Sequence, residues 1–566
     1  MDQLLFNGKF VTLEDADNEG NGIDRRGSKN NNDESSGNNN NNIVSALLIR
    51  DERIAALGTL KEVQRHTGTD TQRIDMQGKT VLPGIIDSHN HIISAGIAMG
   101  GVLLFGAGTV SDACDRIRAR ADALPDGEWL EGAGWIESQF TENRPISLAE
   151  MDRAAPNNPL ILHRLFGGSL ANSRAMELAG IGKGSGQPPR GEIVRDADGN
   201  PTGYLKNGAQ TLVTRMIPRN NKPMDSLEEE FAAIKRATDE YIKYGITTIL
   251  DPGVPPRSMH AFHTMYKMGQ IPLRITMMPV WHGLDPKETY DPSSLLQYIG
   301  VTEGFGDERL RIGPLKMAID GGIGSKTAMM NEPWKDGSRT TIPLRLDIDK
   351  LEDYFREGHN AGWSIGIHCC GDLAQDIAVS TFDKVIGERE RAHRHHIIHG
   401  YFPSEKSLEI MARRDIGVSV QPGFIYVEGD IYEENLDTAK VNTFKPLRTY
   451  LKHGIRVFAN SDMTSAHYNP FYGICSAVTR RTSQGKQLGD SECVTVEEAL
   501  HMFIKNGAWY CGLEDSVGSL KVGKQADLAV LDRDLLTIPS NEIMDVKVVR
   551  TFIGGREVYN DQAPEI

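Results

Sequence analysis

The chain has 566 residues, with 62 Lys+Arg against 77 Asp+Glu and a formal net charge of −15 at pH 7. That acidic balance argues against nucleic acid or an anionic membrane surface as the main partner. Hydrophobic residues at 39% and 58 glycines suit a large core cut by many tight turns, and at roughly 150 residues per domain the length predicts three or four units, or two if one is a barrel.

Met1-Asp2-Gln3 places an acid where a secretory leader carries basic residues, and no apolar run approaches the ~18 residues of a membrane span. A cytoplasmic protein is expected. The segments QLLFNGKFVTL (3–13) and SALLIRDERIAALG (45–58) alternate apolar and polar residues, with Asn7-Gly8 and Asp51-Glu52 at hairpin-turn positions. Between them, residues 17–42 have almost no apolar content and read as a disordered surface insertion. The next stretch, GIIDSHNH (84–91), sets two imidazoles one residue apart after an apolar run. On a strand His89 and His91 share a face with Asp87 behind them, and two nitrogen donors on one face suggest a metal.

Residues from about 130 to 220 are turn-rich and hairpin-like, an insertion beside the region of strands and helices. A helical pattern, SLEEEFAAIKRATDEYIKYG (226–245), then leads into apolar strands: GITTILDPG (245–253), WSIGIHCCGD (363–372), RHHIIHG (394–400), DIGVSVQPG (415–423) and GIRVFANSD (454–462). Continuous apolar strands alternating with helices predict a parallel sheet covered on both faces, open or closed. ADLAVLDRD (526–534) and VKVVRTFIGGREVY (546–559) regain the texture of the start, so one sheet is expected from both chain ends. The six cysteines have no compact spacing and read as reduced thiols.

Polar residues recur where the apolar strands end: His89, His91, Lys316, His368, His399 and Asp462. A hydrophobic strand ending in a candidate ligand is the pattern of a barrel enzyme. His368 and His399 are 31 residues apart, and His399 and Asp462 are 63 apart, which fits one and two strand-helix units of roughly 30 residues. Lys316, His368, His399 and Asp462 then end strands 4, 5, 6 and 8. His395 alternates in phase with His399 and is a rival ligand or support, and Trp135 is either core or substrate wall. Lys316 as an ordinary ion-pair lysine and Asp462 as a helix N-cap are the plain alternatives. GGIGSKT (321–327) lacks the Gly-Lys-Ser/Thr register of a phosphate loop.

The ordered set PGIIDSHNH, LKMAIDGGIGSKTA, HCCGD, IIHG, NSD and GSLKVGKQADLAVLDRD resembles the metal-dependent amidohydrolase superfamily. Within it, GAGWIESQF (132–140) and LANSRAMELAGI (170–181) are similar to the YtcJ-like group, amidohydrolase family 3, which includes N-substituted formamide deformylases. The resemblance implies an α/β fold: a (β/α)8 TIM-type barrel over 83–513, with a composite β-sandwich from 1–82 plus 514–566. It implies one or two zinc ions, with His89, His91 and Asp462 on the first, His368 and His399 on the second, and a CO2-derived carbamate on Lys316 bridging them. Gly167, Ile398 and Asn460 stand where many members carry His, Glu and Gly, so the pocket is expected to differ more than the metal site.

The chemistry is consistent with that assignment. A lysine at an apolar strand end is desolvated, and the neutral amine that results can capture CO2. Metal activation of water with Asp462 as general base and acid gives hydrolysis of an amide or N-formyl bond of a small organic substrate. A one-metal deaminase acting on an amidine carbon would need only the His-x-His pair, His368 and Asp462, and a non-catalytic regulatory homologue is the rival from another class. Oligomeric state does not follow from the residues, although barrels of this kind often form homodimers.

Overall fold

The computed structural model describes residues 2–14, 43–165, 168–188, 191–218, 227–282, 300–340 and 346–562. The expected disordered insertion at 17–42 and the departure at Gly167 lie outside them.

Both ends of the chain join one eight-stranded sheet. Thr80–Pro83 is the seam, parallel to Gln3–Val11 on one side and antiparallel to Leu528–Leu531 on the other. Ile43–Arg50 and Arg53–Gly58 form the predicted hairpin, with Arg50 opposite Arg53. Asp51 and Glu52 both take left-handed backbone there, φ 49° and 68°, as a type I′ turn demands. Asn7-Gly8 corrects the expectation of a turn. Gln3–Val11 is one continuous strand, and Asn7, φ 55°, falls at a register shift between Phe6 and Phe10. The left-handed residue makes a bulge, which the same dipeptide serves equally well.

Two parallel sheets form the centre. In one, Ile85–Asp87, Ile246–Val254, Arg274–Pro279 and Leu310–Ile312 lie side by side. In the other, Leu315–Ala318, Ile365–Cys369, His396–His399, Gly417–Val420 and Val457–Ala459 do so. Gly313-Pro314 divides what would otherwise be one strand, and its halves pair with different sheets, since proline has no N–H for a ladder. Val280 and Lys316 form a parallel bridge across that junction. At the opposite edges the Asp462 amide donates to the His89 carbonyl at 2.9 Å and the His91 amide to the Met463 carbonyl at 3.1 Å.

These strands are mostly apolar because both faces are covered. Ile365, Ile367, Ile397, Val418 and Val457 pack outward with helix residues such as Phe355 and Phe382, whereas Ile398 and Phe458 pack with Ile86, Leu250, Met278 and Tyr510. The predicted helix runs Glu228–Tyr241, with Glu228, Glu229 and Glu230 at its positive end, and the chain turns at Gly245, φ 72°. It buries Ala233, Ile234, Ala237 and Tyr241 against Ile92–Gly100. The approach is so close that a Cβ on Gly96 would stand 1.9 Å from the Ala233 carbonyl oxygen.

A six-stranded mixed sheet lies apart from these, formed by Val102–Leu103, Leu130–Trp135, Leu160–Arg164, Gly168–Ala171, Gly191–Arg195 and Pro201–Asn207. It begins at Val102, ahead of the turn-rich texture that announces it. No helix among the described residues is long and apolar enough to cross a membrane.

Candidate metal centre

His89, His91, Lys316, His368, His399 and Asp462 all line one cavity of about 390 Å³ at the C-terminal ends of the parallel strands. They form two groups of converging donors, His89 with His91 and Asp462, and His368 with Cys370 and His399. Asp462 Oδ1 lies 3.4 Å from His91 Nε2 and 3.8 Å from His89 Nε2. Lys316 Nζ lies 3.4 Å from His89 Nε2. The pairing of His89 and His91 does not come from strand alternation, because the strand ends at Asp87 and His91 is already the N-cap of the next helix. The two rings stand nearly perpendicular, at 89°, and reach Asp462 from different sides.

The second group has a protonation pattern that calls for a cation. His399 Nδ1 lies 2.8 Å from Gln421 Oε1, and Lys445 Nζ donates to that same oxygen at 2.9 Å, which fixes the amide's orientation. His399 must therefore donate from Nδ1. His368 Nε2 faces the Gly321 carbonyl at 2.9 Å and must donate there. In neutral rings the remaining nitrogens, His399 Nε2 and His368 Nδ1, both carry lone pairs, yet they face each other at 2.8 Å. Burial is the main cause holding His399 well below the usual histidine range, and any positive charge on His368 would lower it further, so the His399 ring is neutral. That contact needs a positive centre between the rings, which either a second proton on His368 or a metal ion supplies. In the first group, His89 is likewise held neutral by burial and then by Lys316, and its Nδ1 is buried without a partner. The donor set therefore fits a divalent ion.

Other side chains hold the groups in place. Asp87 accepts from the Ser461 amide at 2.9 Å, the Ser461 hydroxyl at 2.6 Å and Asn90 Nδ2 at 2.9 Å, which clamps the loop of His89 to the loop of Asp462. Asp320 accepts the amides of Cys370, Gly371 and Met329 and anchors the turn after His368. Gln421 is held by Asn460, which accepts from Gln421 Nε2 at 2.9 Å and donates to Ser419 at 2.9 Å. Asn460 thus orients the amide that orients His399, while Ile398 packs in the apolar interior. Lys445 is wholly buried, pushed down to about 8 by desolvation, with its ammonium 3.8 Å from the Tyr401 ring centre. Among these supports only Asp87 and Asn460 stand out in the sequence. Gln421, Lys445 and Asp320 are single polar residues in unremarkable segments.

Two expected pocket residues lie elsewhere. Trp135 is fully buried in the core of the six-stranded sheet's unit, its indole donating to the Leu162 carbonyl at 3.1 Å, so it is packing. His395 faces the helix layer, where Phe382 stacks on it. It donates from Nε2 to His359 Nδ1 at 2.9 Å and accepts the Ile365 amide at 3.0 Å, leaving no nitrogen for a ligand. The phase argument fails because His399 itself breaks alternation. Its φ of 82° turns the side chain away from the face that His395 and Ile397 share.

The displaced histidines make stability pH-dependent. Burial pushes His393 down to about 4 and His395 well below the usual range. The unfolded chain then holds more protons below pH 6.5, so this contribution is complete above about 6.5 and drains as pH falls toward about 4. Urea unfolding should show about 2 kcal/mol lost to His393 alone between pH 7 and 5, and a His393→Gln variant should show a shallower slope. Equal slopes would refute the assignment.

A larger cavity, about 810 Å³, opens at the opposite ends of the strands beside Arg311, Arg391 and Arg394. No converging donor group lies there among the described residues.

Comparison with known proteins agrees with this geometry. A family model described as "Amidohydrolase family" matches residues 72–559. The chain is 29% identical to the N-substituted formamide deformylase of Arthrobacter pascens over 525 residues, 90% of this chain and 94% of that one. It is 28% identical to the Arabidopsis thaliana protein LONG AFTER FAR-RED 3 over 526 residues, 91% and 88% of the two chains. A crystal structure of an uncharacterized metal-dependent hydrolase from Pyrococcus horikoshii superposes with a TM-score of 0.68 at 22% identity, covering 96% of this chain and 99% of that one.

Proposed function

This chain belongs to the amidohydrolase family, and from that premise we propose that it is a metal-dependent hydrolase cleaving the C–N bond of an amide or N-formyl group on a small organic substrate. The observation that carries the reading is the convergence of four imidazoles and one carboxylate on a single cavity, with His399 Nε2 and His368 Nδ1 facing each other at 2.8 Å. His89, His91 and Asp462 would hold one zinc ion, His368 and His399 a second, and Lys316, carboxylated by CO2, would lie between them. A divalent ion there would lower the pKa of a water to about 7 and would polarise a carbonyl.

The chain's own residues then manage the proton. Asp462 Oδ1, already within reach of both His89 and His91, accepts a proton from the attacking water and returns it to the leaving nitrogen. Asp87 keeps the two loops in register during that exchange, and Gln421 keeps His399 in the tautomer whose Nε2 lone pair faces the cavity. N-formyl amides are the favoured class because of the likeness to the formamide deformylase. We also read the two parallel sheets as one (β/α)8 barrel over 83–513, with 1–82 and 514–566 as a composite β-sandwich. The Val280–Lys316 bridge and the His89–Asp462 backbone bond support closure.

Metal analysis combined with a hydrolysis screen over N-formyl amines, N-acyl amino acids and cyclic amides tests the proposal. The expected result is two ions per chain, falling to about one in Lys316→Ala, with amine released from at least one substrate. A single tightly held ion with Lys316→Ala fully active would replace it with the one-metal deaminase reading.

A further inference from the structure

The cavity has a second polar feature, away from the metal donors. Glu428 lies on the helix Gly423–Asn435, which comes after the strand Gly417–Val420, and it lines the same cavity as Asp462. It is 2% exposed. Tyr432 donates to its Oε2. The Tyr401 and Tyr432 hydroxyls are 2.9 Å apart, and because the Tyr432 proton is already directed at Glu428, Tyr401 must be the donor between them. Two successive hydroxyl protons therefore point toward the carboxyl group, an arrangement that favours its anionic, accepting form. The other oxygen, Oε1, is buried and has no hydrogen-bond partner.

A buried acceptor left unpaired is costly, and one that faces a cavity calls for an ordered water, an ion or a ligand group as its partner. We propose that Glu428 Oε1 is the subsite for a positively charged amino group on the substrate, so that the preferred substrates are amides that carry a second, non-scissile ammonium. The inference rests on the hydrolytic reading only for where the scissile amide sits, beside Asp462. Burial pushes the carboxyl up to about 8, overcoming the Tyr432 bond and the Lys445 charge, and an ammonium is the ligand that compensates this. Lys445 does not fill the role. Its ammonium donates to Gln421 and lies against the Tyr401 and Phe424 rings. The cavity's 390 Å³ limits the substrate to a small molecule, so both ends of a short diamine derivative lie within one site.

The test uses metal-loaded protein and two probes of equal size, N-formyl-1,4-diaminobutane, which is cationic at pH 7, and N-formylpentylamine, which is neutral. Dissociation constants by calorimetry and hydrolysis by released formate are read for the wild type and for Glu428→Gln, which keeps the shape and replaces the acceptor by an amide. Tenfold or greater preference for the cationic probe in the wild type, falling to near parity in Glu428→Gln through weaker binding of that probe alone, is expected. Equal binding of the two probes by the wild type, or a preference that survives in Glu428→Gln, overturns the inference. The wild-type comparison decides even if the variant does not fold. Preference in binding without hydrolysis of either probe would support the subsite and reject the amide reading. Hydrolysis of both at equal rates with equal affinity would do the reverse.

Discussion

Asp462→Asn is expected to lower kcat by about 10²- to 10⁴-fold, the usual worth of a positioned general base and acid. The variant is chosen for its backbone. Asp462 sits in the left-handed region at φ 50°, where asparagine is tolerated and alanine is strained, so the change removes proton acceptance with little conformational cost. The amide remains able to approach His89 and His91 but cannot take a proton from water. Metal content should be measured in the same samples. Retained metal with lost turnover identifies a proton-transfer defect. Wild-type kcat in Asp462→Asn would remove this residue from the reaction.

Gln421→Leu is expected to weaken metal affinity about 10- to 100-fold, the range typical for losing an outer partner of a ligating histidine. The leucine cannot accept from His399 Nδ1, so the ring is free to place its proton on Nε2, the nitrogen that faces His368. Gln421→Glu provides the contrast, because it still accepts from His399 and from Lys445. Competition against a chromophoric chelator should rank the proteins Glu at or above wild type and both above Leu. Equal affinity for Leu and wild type would show that the tautomer is set by something else.

Much of the fold was legible because its signals are local and repeated. Apolar strands between helices require burial on both faces, and the hairpin at Asp51-Glu52 comes from turn chemistry. The candidate site was legible through the spacing of strand ends, which brought six residues to one cavity. The misreadings share a physical cause. Asn7-Gly8 shows that a residue tolerant of positive φ marks a distortion without saying whether it is a turn or a bulge. His395 was drawn in by alternation, which ends where His399 takes φ 82°. Trp135 stands in a segment shared with the family group, yet a large aromatic in such a segment serves packing as readily as recognition. Glu428, Lys445 and Gln421 left no trace in the sequence because their roles come from tertiary neighbours alone.

The Asp87–Ser461 clamp joins residues 374 positions apart in the chain. The imidazoles of His89 and His91 consequently leave the ribosome long before the Asp462 carboxylate that completes their group has been made. Nascent chains would hold only an incomplete set of donors, and stable loading with metal would be confined to chains that have reached Asp462. Contacts of such long sequence separation also slow assembly, so the arrival of the strand Val457–Ala459, which leads into Asp462, is the step that completes the donor set.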